Sequence, residues 1–250
     1  MTSAPTLRVE RALLRGGPDV LACVDEVGRG ALAGPVAVGV TVIDLGVRSA
    51  PAGLRDSKLL SARARLELLP RLRRWPVAWA VGMASAAEID EVGILAALRV
   101  CAARAMAALP VRVELALLDG SHDWMRVPAT QDALFPDPRT SAALALADHG
   151  VLPEQVVTRV KADMTCAGVA AASVLAKCAR DALMVELAQG HPEYGWADNK
   201  GYAAPEHLEA LRRLGPSTLH RISWNIPRGE HAALVPGTIA GTPSLSTASR

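Results

Sequence analysis

Aromatic side chains are scarce in this sequence: Phe, Trp and Tyr together make up 3% of its 250 residues. A core built almost without them must rest on Ala, Val and Leu. The 50% apolar share is enough for one globular domain with a substantial interior, or one domain plus a small appendage. Net charge is also low, at +2, which excludes a strong global field drawing in polyanions. The four cysteines, Cys23, Cys101, Cys166 and Cys178, contain no CxxC pair and read as buried, reduced thiols. With no His/Cys cluster of ligand spacing, zinc chemistry and a thiol nucleophile are both disfavoured. Apolar runs such as 31–43, interrupted by Gly and Pro, are too short to span a bilayer, and no signal-peptide pattern opens the chain. A soluble, cytoplasmic protein with no membrane partner is expected.

Charge is uneven locally. Residues 55–74 carry seven Lys or Arg against two acids, and 156–180 carry four against one. Such patches can meet a polyanion while the whole chain stays near neutral, although a solvated helix face competes with that reading.

The pattern along the chain predicts an α/β protein. A leading helix over 6–15 ends at Gly16-Gly17, and a first strand over 20–25 runs into the acid pair Asp25-Glu26. The β-branched, uncharged run 36–43 predicts a second strand buried on both faces. Ser61 caps a helix that Pro70 should disturb, and 76–83 alternates as a third strand. Ser85 and Glu88 form a capping box before a helix over 86–109 with a break at Gly93. Strands at 111–118 and 155–160 follow, separated by a proline-rich excursion over 121–155 with a helix of its own near 140–148. Helices are expected over 168–189 and 205–214, and residues 229–250 read as a disordered tail. Strands one to three form an antiparallel meander, and strands four and five return by crossovers, parallel to the first.

The stretch 20–30, VLACVDEVGRG, carries the most chemical information. Successive side chains of a regular strand face opposite ways, so Asp25 and Glu26 are expected to converge only if the strand ends or bulges there. Gly28 and Gly30 would permit that break and let a ligand approach bare N–H groups, with Arg29 between them. Asp119 follows the fourth strand and Asp163 the fifth, so the topology brings four carboxylates to one sheet edge, where open α/β sheets place their sites. Crowded carboxylates repel unless cations neutralise them, and hard divalent ions suit an all-oxygen set. A pair of Mg²⁺ or Mn²⁺ ions about 4 Å apart would suit phosphodiester hydrolysis.

DEVGRG at 25–30, LLDG at 117–120, KAD at 161–163, AASVLAKCARD at 171–181 and NKGY at 199–202, in this order, resemble the motifs of bacterial ribonuclease HII, the type-2 ribonuclease H. The run GALAGPVAV, DSK at 56–58, SAAEID at 85–90 and HRISW at 220–224 fit as well, and the likeness covers about residues 7–228. The resemblance implies a ribonuclease H-like fold: a five-stranded mixed sheet flanked by helices over 7–190, with a C-terminal helical extension over 191–228 that helps bind substrate. It implies a metal-dependent endonuclease that cuts the RNA strand of RNA/DNA hybrids and cuts 5′ of single ribonucleotides in duplex DNA, leaving 3′-OH and 5′-phosphate ends. A monomer is expected, although the sequence does not fix the oligomeric state. By motif, Asp25, Glu26, Asp119 and Asp163 would be catalytic and metal-binding. Gly28, Arg29 and Gly30 would meet the 2′-hydroxyl and nearby phosphates, and Tyr202 the sugar at the RNA–DNA junction. Lys58, Ser173, Lys177 and Lys200 are plausible phosphate contacts.

The sequence departs from this pattern at Ala162, where the family has glycine. If that position is left-handed, alanine costs about 1 kcal/mol and shifts Asp163. The excursion between Asp119 and Asp163 is also longer than the pattern. Two other functions stay open here: a catalytically impaired hybrid-binding module, and a DNA junction nuclease of the same fold. His220 reads as a packing residue rather than a ligand.

Overall fold

A computed structural model of the protein describes residues 4–126 and 152–229. The helix expected near 140–148 lies outside the described residues, as does the tail beyond residue 229. Strands β1 (Leu21–Val27), β2 (Val36–Ile43), β3 (Ala78–Ala84), β4 (Leu115–Asp119) and β5 (Gln155–Arg159) form one sheet in the order β3-β2-β1-β4-β5. β2 pairs antiparallel with β1 and β3, while β1–β4 and β4–β5 are parallel, as the connection lengths predict. The helices are α1 (Arg8–Arg15), α2 (Ala62–Leu72), α3 (Ala86–Val92), α4 (Ile94–Ala107), α5 (Ala162–Thr165), α6 (Ala167–Ala188), α7 (Trp196–Asn199) and α8 (Pro205–Leu214).

Both faces of the sheet are covered, which is why β2 is buried at every position. Ala22, Val24, Val38 and Val40 pack with α4 on one side. Leu21, Cys23, Leu115 and Leu117 pack with α6 on the other. The shortage of aromatic residues has a structural counterpart: the layers approach so closely that a Cβ on Gly39 would collide with the Ala172 carbonyl of α6, and one on Gly82 with the Cys101 carbonyl of α4. Small residues let the backbones approach, and Val and Leu fill the space between them, each contributing about 1.5–3 kcal/mol when fully buried.

Local signals set several helix ends. The Ser85 hydroxyl accepts the Glu88 N–H, and the Glu88 carboxylate accepts the Ser85 N–H, closing the predicted capping box. Gly93, at φ +79°, separates α3 from α4. Contrary to expectation, α2 runs through Pro70 to Leu72, with Leu68 and Leu72 buried beneath it. A third cluster, including Met184 and Ala188 of α6, Trp196 of α7 and Leu211 of α8, fastens the C-terminal helices onto α6 and onto Ala33 in the loop after β1. Among the described residues no helix is long and apolar enough to cross a membrane.

Candidate active site

The first strand does not break at its acids. β1 stays in register with β2 through Val27, pairing Asp25 with Gly39 and Glu26 with Val38, so the expected bulge is absent. Leu21 and Cys23 face α6 while Ala22 and Val24 face α4, so alternation directs Asp25 to the α6 side and Glu26 to the α4 side. Their closest tie is through the backbone, where the Glu26 N–H donates to Asp25 Oδ1 at 2.9 Å. The parallel partner decides what Asp25 meets. The β1–β4 ladder ends at Val24–Leu118, so Asp119 stands one residue further on, beside Asp25 and on the same face.

Asp163 is the second residue of α5 rather than a strand end. Asp119 Oδ1 accepts the N–H groups of Ala162 at 2.7 Å and Asp163 at 3.4 Å, so β4 sets where that helix begins. Ala162 is not left-handed. The residue that takes that conformation is Lys161, at φ +58°, and Ala162 starts the helix fully buried. The strain expected at the alanine therefore falls one position earlier.

Electrostatics mark this edge as anion-crowded. Asp25, buried, has its pKa pushed up to about 8, first by burial and then, against hydrogen bonding from Ser173, by Glu26, Asp119 and Asp163. Asp163 is shifted upward by burial and then by Asp119. Glu26 also rises through burial, although Arg29, at 3.4 Å, pulls the other way. Lys58 Nζ lies 3.6 Å from Asp163 Oδ2, and the carboxylates around it keep that lysine protonated against the opposing effect of burial. Among the described residues no three His, Cys, Asp or Glu side chains converge into a ready-made metal cage. The donor chemistry nevertheless fits a hard divalent cation: an all-oxygen set whose mutual repulsion positive charge would relieve.

Beside the acids lies the loop of residues 28–35. Gly28 has φ +85°, and a Cβ there would strike the Arg180 guanidinium, so this glycine is required both by its conformation and by a close neighbour. Gly30 has open space around it. The Asn199–Tyr202 turn packs against the same loop: the Gly201 carbonyl accepts from Leu32 at 2.7 Å and from Ala33 at 3.2 Å. Tyr202, 36% exposed, lies with its ring centroid 5.4 Å from the Arg180 guanidinium and 5.7 Å from Lys177 Nζ.

The other sequence-level candidates take these places. Ser173 is buried, with its hydroxyl 2.8 Å from that of Ser57. Lys177 Nζ donates to Asp181 at 2.7 Å, and Lys200, itself left-handed at φ +52°, turns its ammonium to the Ala197 carbonyl. Sequence reasoning missed Arg180 and Arg221, although both lie in quoted motifs, because an arginine on a helix or in a loop ordinarily reads as solvated. His220 is buried, with Nε2 3.0 Å from His207 Nε2, in keeping with a packing role.

A mixed sheet ordered β3-β2-β1-β4-β5, with Asp25 within β1 and Asp119 at the end of the parallel neighbour β4, defines a ribonuclease H-like fold. The ribonuclease H2 structure from Pyrococcus horikoshii OT3 superposes with a TM-score of 0.58 at 26% identity, covering 82% of this chain and 94% of that one. Residues 22–226 match the family model for ribonuclease HII. Ribonuclease HII of Streptomyces coelicolor is 42% identical over 95% of this chain and 93% of its own length. That of Paracoccus denitrificans is 43% identical over 88% and 91%. The chain belongs to the ribonuclease HII family and is a ribonuclease H enzyme.

Proposed function

We propose that the protein is a divalent-metal-dependent endoribonuclease that cuts the RNA strand of RNA/DNA hybrids and cuts 5′ of a single ribonucleotide in duplex DNA, leaving 3′-OH and 5′-phosphate ends. The observation that carries this reading is the adjacency, on one sheet edge, of Asp25 and Asp119 with the glycine loop 28–30 and the turn 199–202. Metal binding is typical of the family. Asp25, Glu26, Asp119 and Asp163 are the residues that would hold Mg²⁺ or Mn²⁺, with two ions when substrate is bound. Bound there, such ions supply Lewis-acid stabilisation and a more acidic water.

The chain's own groups do the remaining work. Backbone N–H groups of the 28–30 loop meet the 2′-hydroxyl in the wide minor groove, where bulky side chains would not fit, and Arg29 meets a neighbouring phosphate. The flat ring of Tyr202 lies on the deoxyribose side of the junction. In this reading Lys58, Lys177 and Lys200 meet phosphates, and Ser173, whose buried hydroxyl lies against that of Ser57, backs Asp25. In this reading residues 7–190 hold the catalytic machinery and 191–228 support substrate binding. We take the protein as a monomer, and the four free cysteines suit a cytoplasmic setting.

The binding-only alternative rested on Ala162 displacing Asp163, and the right-handed conformation of Ala162 removes its motive. The deciding experiment incubates the protein and Mg²⁺ or Mn²⁺ with duplex DNA carrying one ribonucleotide. A cut on the 5′ side of that ribonucleotide, lost in Asp25→Asn, is expected. No cut with either ion, or an unimpaired variant, overturns the reading, and cutting of an all-DNA four-way junction instead would establish the junction nuclease.

A further inference from the structure

Arg180 and Arg221 are completely buried, and neither has a carboxylate partner among the described residues. Burying a cation without a counter-ion costs several kcal/mol unless its donors are satisfied in some other way, so the partners these arginines have chosen are informative. All are backbone carbonyls of the two loops beside the acids. Arg221 donates from Nη2 to Gly28 O at 2.8 Å, from Nη1 to Arg29 O at 2.9 Å, and from Nε and Nη2 to Gly34 O at 3.3 and 3.2 Å. Arg180 donates to Pro35 O at 2.8 Å and Ala33 O at 3.2 Å, and across to Lys200 O at 2.9 Å.

Peptide geometry turns these contacts into a directional statement. In a planar trans peptide the C=O and N–H point opposite ways. The peptide that carries Gly28 O also carries the Arg29 N–H, and the one that carries Arg29 O carries the Gly30 N–H. Drawing both oxygens inward therefore sends both N–H groups outward. Arg29 and Gly30 are exposed, and neither N–H has an acceptor among the described residues.

We infer that Arg221 is a positioning residue for ribonucleotide recognition: by holding the Gly28 and Arg29 carbonyls it presents the Arg29 and Gly30 N–H groups to a 2′-hydroxyl. Arg180 ties the carbonyl that precedes the 201–202 peptides to the same loop, so the two recognition loops hold a common spacing. Its guanidinium also occupies the space that a side chain at residue 28 would need. A lysine cannot replace either group, because one compact ammonium does not form the planar fork that reaches three carbonyls at once.

This inference rests on the ribonucleotide-cutting reading above. Its test measures the affinity of the full chain, with Ca²⁺ in place of the catalytic ion, for two duplexes of one sequence, one with a single ribonucleotide and one all-DNA. Wild type should cut the first with Mg²⁺ or Mn²⁺ and bind it more tightly than the second. Arg221→Lys, folded by its melting curve, should lose that preference by about tenfold or more while its affinity for all-DNA duplex is unchanged. An unchanged preference, or an equal loss on both duplexes, overturns the inference while leaving the substrate reading intact. If wild type neither cuts nor prefers the ribonucleotide duplex, the substrate reading falls first, and the inference with it. Should Arg221→Lys fail to fold, the amide resonances of Arg29 and Gly30 in ¹⁵N-labelled wild type decide. They should shift with the ribonucleotide duplex and not with its all-DNA counterpart, and equal shifts overturn the inference.

Discussion

Asp119 of β4 accepts the Ala162 N–H at 2.7 Å, so the carboxylate that ends one strand also fixes the start of the turn that carries Asp163. Because Ala162 is right-handed and buried, replacing it with the glycine common in the family should not help. Ala162→Gly should lower stability by about 1 kcal/mol, through added freedom of the unfolded chain, with no gain in cleavage. Lys161→Gly, at the residue that is left-handed, should be neutral or stabilising by up to about 1 kcal/mol. Thermal melts of both variants check this, and a stabilised Ala162→Gly would contradict the geometry.

Asp25 is a carboxyl whose ionisation is opposed first by burial and then by repulsion from the carboxylates around it. Asp25→Asn removes that repulsion, so in chelator the variant should melt a few degrees above wild type. Its cleavage rate should nevertheless fall by at least about 10²-fold, as expected when charge that stabilises a transition state is lost. Calorimetry in chelator and single-turnover cleavage give the two halves. Lower stability together with lower activity would indicate a purely structural carboxylate.

Tyr202 rests over Arg180 and Lys177 and is a third exposed. Tyr202→Ala should lower cutting at a single ribonucleotide by about ten- to a hundredfold, the scale of a misplaced substrate, while duplex binding changes much less. Equal losses in cleavage and in binding would contradict a role at the junction sugar.

The imidazoles behind Tyr202 predict a pH dependence. His220 Nδ1 accepts the Ser217 N–H, so its Nε2–H points to His207 Nε2, which also receives the Trp196 indole N–H. His207 Nδ1–H is then left to donate to Tyr202 O at 2.8 Å, and both rings are neutral. Burial, and secondarily His207, pushes the pKa of His220 down to about 4, from an ordinary 6.5. The unfolded chain takes up the proton first, so this stability is whole above pH 6.5 and drains away as pH falls toward 4. The raised carboxyls work in the opposite direction, so the contribution is isolated by comparing variants. Between about pH 7 and about pH 5 the melting temperature of wild type should fall relative to that of His220→Gln. Parallel curves would place the proton elsewhere.

What could be read without a structure was whatever chain-local physics specifies. The uncharged β-branched run of β2, the Ser85–Glu88 box, the break at Gly93 and the bounds of α8 depend on residues within a turn or two of one another, and they occur where the pattern places them. The strand directions also followed, because crossover lengths leave few alternatives, and with them the placing of Asp25 and Asp119 on neighbouring parallel strands. Short elements were missed: α5 and α7 are single turns held by distant partners, and four residues carry too little periodicity to register.

Tertiary contact decided the rest. Whether Asp25 and Glu26 share a face depended on β1 staying paired with β2 to Val27, which no property of the pair DE reveals. That Asp119 stands beside Asp25 depended on the register of a parallel partner more than ninety residues away along the chain. Arg180 and Arg221 look like ordinary solvated cations in the sequence. They became the buried frame of the recognition loops only because carbonyls from residues 28–35 and 200 converge on them, and a guanidinium accepts burial only where such acceptors are already assembled.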